Sequence, residues 1–310
     1  MTANDSAADF PARVVESFGR RVVVETADGA RTRAELFGKR LSVVCGDEIT
    51  VRASRAGDAP RVVSLKTRRS LFARTDSRGR TEPLAANLTL LCAVIAPEPT
   101  PDAYVIDRYL AGAAYAGVRG AVIVNKSDLI KPNDTKFAQL LDEYRSAGYS
   151  VIALSAQSAA GVQELAELLK DEVTMLVGQS GVGKSTLTNA LVPASARPTR
   201  NLSDATGEGR HTTTSTALFR IPSGGELIDS PGVRDYAPAL VDDATVQVGW
   251  PELLRLATQC RFNNCLHLRE PGCAAIAAVE QGTLSARRYE SYKRLMNIVR
   301  GLAPDYERRR

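Results

Sequence analysis

The stretch "TMLVGQSGVGKST", Thr174 to Thr186, constrains the fold more than any other part of the chain. It satisfies G-x-x-x-x-G-K-[ST] with an apolar strand before it and a helix after it. Gly178 and Gly183 let the backbone curl across Gln179, Ser180, Gly181 and Val182, so that its N–H groups face phosphate oxygens. Lys184 reaches the β and γ phosphates, and Ser185 is placed to ligate Mg²⁺. Thr186 begins a helix whose N-terminus favours anions. Such a loop belongs at the C-terminal end of a strand in a mostly parallel sheet. The chain obliges from about Leu84 onward. "LTLLCAVIA", "GAVIVNK", "YSVIALSAQS", "TALFRI" and "ELIDSPG" read as strands, while "DTKFAQLLDEYRSAG" and "VQELAELLKD" read as helices. That alternation is the pattern of a doubly wound α/β domain.

A phosphate loop alone does not separate ATP from GTP. "NKSD" at the end of an apolar strand does. Asp128 can accept two hydrogen bonds from guanine N1–H and the 2-amino group. Adenine lacks that donor pair and would leave the carboxylate unpaired, a mismatch that sites of this kind strongly reject. Asn125 can contact the other guanine edge, and Lys126 would lie against base and ribose, with Ser127 inside the same loop. "LSAQS" ends the next strand, where the Ser155–Ala156 backbone can reach guanine O6. Two further loops complete the set. In "IDSPG", Asp229 would hold Mg²⁺ through water and the Gly232 N–H would sense the γ-phosphate. In "GEGRHTTTS", one of Thr212, Thr213 and Thr214 would close on Mg²⁺, with Thr213 favoured. Val233 stands where many GTPases carry a water-orienting glutamine. His211 is the nearest polar candidate for that task; the other reading is a histidine that packs in the loop.

These five elements occur in the order base, base, phosphate, switch, switch. The conventional order begins with phosphate. A circular permutation reconciles the two, because joined ends and a new cut leave a packed sheet intact. The second switch then runs straight into the C-terminal segment.

The flanks differ from this centre. Residues 13 to about 66 alternate in short β segments around Asp28-Gly29 and Gly46-Asp47 turns, which suggests a small barrel of the OB or SH3-like kind. "KTRRSLFARTDSRGRTE" reads as an exposed basic linker, able to touch phosphates. After Gly232, "WPELLRLATQ" is helical. "CRFNNCLHLREPGC" follows and brings Cys260, Cys265, His267 and Cys273 into one short loop. Three thiolates and an imidazole suit tetrahedral Zn²⁺, and four protein ligands make the site structural rather than catalytic. The last stretch reads as one or two amphipathic helices with a basic face.

At 310 residues and 44% hydrophobic, the chain can bury a real core and divides into two or three domains. The net charge of +5 is uneven: residues 1–80 and 287–310 are basic, the middle acidic. Basic ends suggest a polyanionic partner such as nucleic acid, or a solvated surface. No apolar run reaches the roughly 18 residues of a membrane span, and the N-terminus lacks an apolar signal core. Five cysteines fit a reducing compartment. Cys45 and Cys92 sit in apolar runs and read as core.

In combination these features resemble the small ribosomal subunit biogenesis GTPases, the RsgA or YjeQ family. The resemblance is carried by "CGDEITV", "IDRYL", "NKSDL", "GQSGVGKSTL", "GRHTTT", "DSPG" and the cysteine stretch, and it spans nearly the whole chain. It implies an N-terminal all-β OB-type barrel (1–70), a circularly permuted α/β GTPase domain (71–238) and a helical zinc-binding domain (239–310). It implies a cytoplasmic monomer with no membrane contact. The implied role is to bind the 30S subunit and its 16S rRNA late in maturation, to hydrolyse GTP when the ribosome stimulates it, and to leave. It also implies that the catalytic histidine is the one matching His211, acting with Lys184 and Thr213. A GTP-gated RNA-binding scaffold is the competing expectation. Two departures stand out: Thr89 in "ANLT" replaces a common acid, and Ser230 in "DSPG" replaces threonine.

Overall fold

The structure is a computed structural model that describes residues 8–37, 41–54, 59–76, 79–193, 216–229, 236–239 and 242–302. Five strands open the chain: β1 (Asp9–Phe18), β2 (Arg21–Glu25), β3 (Arg31–Leu36), β4 (Glu48–Arg52) and β5 (Arg61–Leu65). Strand β1 pairs antiparallel with both β2 and β4, while β3 pairs parallel with β5, and β5 antiparallel with β4. The five strands therefore close on themselves. Closure removes the free edges that short strands would otherwise expose. Val14, Val22, Val24, Ile49 and Val51 fill the interior. The barrel is thus the OB-type one, and non-local pairings decide it.

Strand β1 also does a second job. A bulge between Val14 and Glu16 lets Val14 face the barrel core while Val15 joins the next core. An extra residue in one strand shifts its alternation in this way. Past the bulge, Glu16 and Ser17 pair with strand β12 (Thr216–Arg220). The barrel and the central sheet are consequently one hydrogen-bonded surface.

Residues 66–80 correct the linker expectation. β6 (Leu71–Thr75) and β7 (Thr81–Ala86) form a two-stranded hairpin. Phe72 is fully buried and stacks on Tyr236 at 5.1 Å. The arginines described in this stretch are engaged: Arg68 with Asp47, Arg69 with Glu48, Arg74 with Glu82, Arg80 with Asp76. Hydrophobic burial of Phe72 and local charge pairing outweigh the hydrophilic composition of this stretch.

The central sheet runs β10-β9-β8-β11-β13-β12. Here β8 is Leu90–Ile95, β9 Arg119–Val124, β10 Ser150–Ala153, β11 Val173–Val177 and β13 Glu226–Asp229. All neighbours are parallel except β12 with β13. Strand β8 is buried throughout, as a strand covered on both faces must be. One face packs under α1 (Ala103–Tyr115) and α2 (Thr135–Ala147), the other under α3 (Val162–Leu169) and α4 (Lys184–Leu191). Cys45 and Cys92 are fully buried core residues, and burial pushes the Cys92 thiol up to about 12. Thr89, which replaces the acid common in the resembling family, bridges strand starts: its hydroxyl accepts from the Val173 N–H at 2.8 Å.

The remaining helices are α5 (Asp243–Val246), α6 (Pro251–Ala257), α7 (Ala274–Glu280) and α8 (Ala286–Leu302). They share a core built on Trp250, Leu253, Tyr292 and Leu295. The expected basic face of α8 is partly turned inward. Arg288 is only 2% exposed and pairs with Asp107 of α1 and Glu252 of α6. Arg287 pairs with Asp107 and with Glu143 of α2.

Candidate functional site

The phosphate loop leaves β11 at the middle of the sheet, between parallel neighbours β8 and β13. In open α/β sheets the place outside the C-terminal ends of such strands is where ligands bind. Gly178 has φ 144°, and a Cβ on it would lie 2.2 Å from the Val94 oxygen. Only glycine fits both the conformation and the approach. Gly183 caps α4 with φ 90° and supplies no side-chain bond, so the first N–H groups of α4 face outward. Lys184 Nζ donates to the carbonyls of Gly178 and Gln179 at 2.7 and 2.8 Å, which holds the loop curled around its ammonium. Ser180, Gly181, Ser185 and Thr186 are exposed, whereas Val182 is a buried anchor. Gln179 Oε1 accepts from the Asp102 N–H at 3.0 Å, tying the loop to the start of α1.

The base loop follows β9. Where the sequence places Asn125 against the second guanine edge, the structure engages its carboxamide between loops. Nδ2 donates to the Val182 carbonyl at 2.9 Å, and Oδ1 accepts from the Ala156 N–H at 3.1 Å. Asn125 is 2% exposed, so this is a built joint of three loops. Lys126 adopts φ 56° and donates to the carbonyls of Gly181 at 2.7 Å and Glu98 at 2.9 Å. The Ser155 N–H donates to Ala160 at 2.9 Å, closing its own turn. Ser127 and Asp128 form a short 3-10 turn, and Asp128 is exposed on it. Asp229 ends β13 and is exposed. The structure therefore brings residues 125–128, 155–156 and 178–186 to one edge, as their sequence positions at strand ends suggest. His211, Thr213 and its neighbours Thr212 and Thr214, Gly232 and Ser230 lie outside the described residues.

A second centre lies in the connection between α6 and α7. The ligand atoms of Cys260, Cys265, His267 and Cys273 all fall within 4.8 Å of one another. His267 Nδ1 is 3.5 Å from the Cys260 sulfur and 3.4 Å from that of Cys273. Thiolate sulfurs around a tetrahedral zinc at about 2.3 Å stand roughly 3.8 Å apart, so the donor set and its spacing fit such an ion. Burial pushes the Cys265 thiol up to about 12, and burial also holds the His267 ring below its ordinary value, in the neutral form that ligates. A bound cation displaces the thiol protons. The loop around the cluster is fixed from outside. Glu270 accepts from the N–H groups of Leu266, Leu268 and Arg269. Tyr289 and Tyr292 donate to the carbonyls of His267 and Leu266 at 2.6 and 2.5 Å. The cysteine spacing announces the four clustered residues; nothing local announces the tyrosines 22 and 26 residues away.

Comparison with known proteins adds to this geometry. The sequence model of the RsgA GTPase family matches residues 65–238. A Pseudomonas aeruginosa protein, "Small ribosomal subunit biogenesis GTPase RsgA", is 40% identical over 297 residues, 96% of this chain and 87% of the relative. The protein of that name from Azotobacter vinelandii is 42% identical over 288 residues, 91% of this chain and 84% of the relative. Among solved structures, YjeQ from Thermotoga maritima superposes with a TM-score of 0.71 at 26% identity, covering 94% of this chain and 98% of that one. YloQ, described as a circularly permuted GTPase, gives 0.72 at 20% identity over 99% and 100%, a likeness of fold. With the permuted strand order and the base and phosphate loops already joined through Asn125, the conclusion is that this chain belongs to the RsgA GTPase family and is a GTP hydrolase.

Proposed function

We propose that this GTPase binds the 30S ribosomal subunit through its 16S rRNA late in maturation, is stimulated by it to hydrolyse GTP, and then leaves. The observation that carries the reading is similarity along nearly the whole chain to proteins named for small ribosomal subunit biogenesis. It extends across the barrel and the C-terminal helices as well as the nucleotide-binding sheet. The units proposed for it are a barrel at 1–70, the GTPase at 71–238 and a zinc-binding unit at 239–310. Each contributes the larger part of one core, while a further core joins Val15, Val23 and Cys45 of the barrel to the central sheet. A cytoplasmic monomer is the proposed form. Among the described residues, no helix is long and apolar enough to cross a membrane.

In this reading Asp128 selects guanine, and Asn125 and Lys126 hold the base loop against the phosphate loop. The backbone of Ser155 and Ala156 flanks the base. Residues Gly178 to Thr186 cradle the phosphates, with Lys184 released from its loop carbonyls onto the β and γ oxygens. Ser185, Asp229 and Thr213 hold Mg²⁺, which offsets phosphate charge when bound. Gly232 senses the γ-phosphate and His211 orients water. Cys260, Cys265, His267 and Cys273 hold one structural Zn²⁺. The test is GTP turnover with purified 30S subunits, with 50S subunits and alone. Stimulation of about 10-fold or more by 30S alone is expected. Equal slow turnover in all three would leave a GTP-gated RNA-binding scaffold instead.

A further inference from the structure

The metal-facing histidine has one contact that the four-ligand reading does not require. His267 Nδ1 faces the sulfurs, and its other ring nitrogen, Nε2, lies 3.2 Å from Gln247 Oε1. We propose that Gln247 is a positioning residue for the metal centre: by accepting from Nε2–H it fixes the His267 ring rotation and its Nδ1-binding tautomer. The inference rests on the zinc reading above.

The geometry leaves Gln247 that task and little else. His267 has a left-handed backbone, φ 56°, costly for a residue with a Cβ. Its carbonyl is held by the Tyr289 hydroxyl, and that of Leu266 by Tyr292. The backbone is thus set independently of the ring. What stays open is the ring torsion and the position of the ring proton. A metal-ligating histidine can bind through either nitrogen, and the partner of the other nitrogen chooses between them. An amide oxygen at Nε2 demands a proton there and leaves the Nδ1 lone pair for the cation.

Gln247 is itself well placed to stay still. It begins a 3-10 turn directly after α5, and Asp242 caps α5 by accepting from the Thr245 N–H at 2.8 Å. Asp243 pairs with Arg300 of α8 at 2.7 Å. The Tyr115 hydroxyl of α1 donates to the Val246 carbonyl at 2.7 Å. Gly249 lies so close to α1 that a Cβ would meet that of Ala111 at 2.5 Å. Residues 243–249 are therefore a strap pinned to α1 of the nucleotide-binding sheet on one side and to His267 on the other. The segment from β13 to the zinc loop passes through it. Gln247 makes the metal centre depend on where that strap sits.

The experiment uses full-length, zinc-loaded protein and two substitutions. Gln247→Met keeps the length and removes the acceptor, while Gln247→Glu keeps an acceptor. Zinc release is followed with a chromogenic chelator, and the ring nitrogens by ¹⁵N NMR, which is simple because the chain has only 2 histidines. The expected result is release about 10- to 100-fold faster in Gln247→Met, with a rapidly exchanging or lost Nε2 proton signal. Gln247→Glu is expected to stay within about 3-fold of the parent and to keep the Nε2–H signal. Release and tautomer unchanged in Gln247→Met would overturn the proposal while leaving the zinc reading intact. A parent protein that holds no zinc would overturn both.

Discussion

Replacing Arg288 by methionine tests whether charge or packing holds the C-terminal helices to the nucleotide-binding sheet. Arg288 is 2% exposed. It donates to Asp107 at 2.7 Å and to Glu252, and its guanidinium lies 5.4 Å from the ring centres of Tyr144 and Tyr149. Methionine keeps much of the stem and removes the charge. Asp107 retains Arg287 at 2.7 Å, so it is not stranded. Glu252, only 7% exposed, loses the cation it holds. Breaking a buried pair from one side costs about 3–5 kcal/mol, because one charge stays buried without its partner. One stranded carboxylate rather than two keeps the expectation inside that range. Trp250 is the single tryptophan, is buried, and packs edge-on against Tyr292 at 5.4 Å. Its fluorescence therefore reports the unfolding of this core in urea. The midpoint should fall with the slope unchanged. The double variant Glu252→Met with Arg288→Met leaves neither charge of this pair buried alone and should regain most of that loss. A single variant within about 0.5 kcal/mol of the parent would refute the reasoning, since that is the range of an ordinary surface change. So would a double variant less stable than the single one.

Two further substitutions address the nucleotide loops. Asp128→Asn should lower GTP affinity by roughly 100-fold or more and raise that for xanthosine triphosphate, because the amide presents a donor where guanine also donates; competition against a fluorescent nucleotide reads this, and retained guanine preference would remove Asp128 as base reader. Gly178→Ala forces a Cβ to within 2.2 Å of the Val94 oxygen at φ 144°, which should cost about 1–3 kcal/mol and abolish GDP binding in calorimetry; parental affinity would mean that the loop shifts freely.

The positions of the candidate nucleotide loops were legible because ligand chemistry, not packing, suggests residue types at strand ends. Gly178, Lys184 and Asp128 are where they are for reasons readable one loop at a time. Their joint was not legible. Asn125 reads as a base contact, yet its carboxamide spans to Val182 and Ala156, which lie 57 and 31 residues away. The barrel shows the same divide. Alternation announces its strands, while the pairings β1 with β4 and β3 with β5 that close it are non-local. Residues 66–80 mislead for a related reason. Charges dominate the composition there, and their partners, such as Asp47 for Arg68, appear only after folding. Helix α1 is hidden differently. Ala111, Gly112 and Ala113 are all buried, so no polar face marks a helical period.

The permutation explains why the C-terminal helical unit sits where it does. In the conventional order the chain would start at β11, pass through β12, β13, β8 and β9, and leave after the edge strand β10. Here it leaves from β13, beside the phosphate-loop strand at the sheet centre. A chain leaving an edge can swing away; one leaving the centre must cross a packed face. The first described residue after that exit is Tyr236, and it is fully buried. Its ring stacks on Tyr109 of α1 at 4.9 Å and on Phe72 of the hairpin at 5.1 Å, and its hydroxyl donates to the Ala73 carbonyl at 3.1 Å. The chain is thus wedged between hairpin and α1 before the strap at 243–249 begins. From there Gly249 and Tyr115 keep it on α1, and Gln247 hands it to His267. Tyr236 is an anchor on this route, so a displacement that reaches it presses on α1 and on the hairpin. Cutting the fold at this point makes the end of β13, where Asp229 stands, the root of the C-terminal unit.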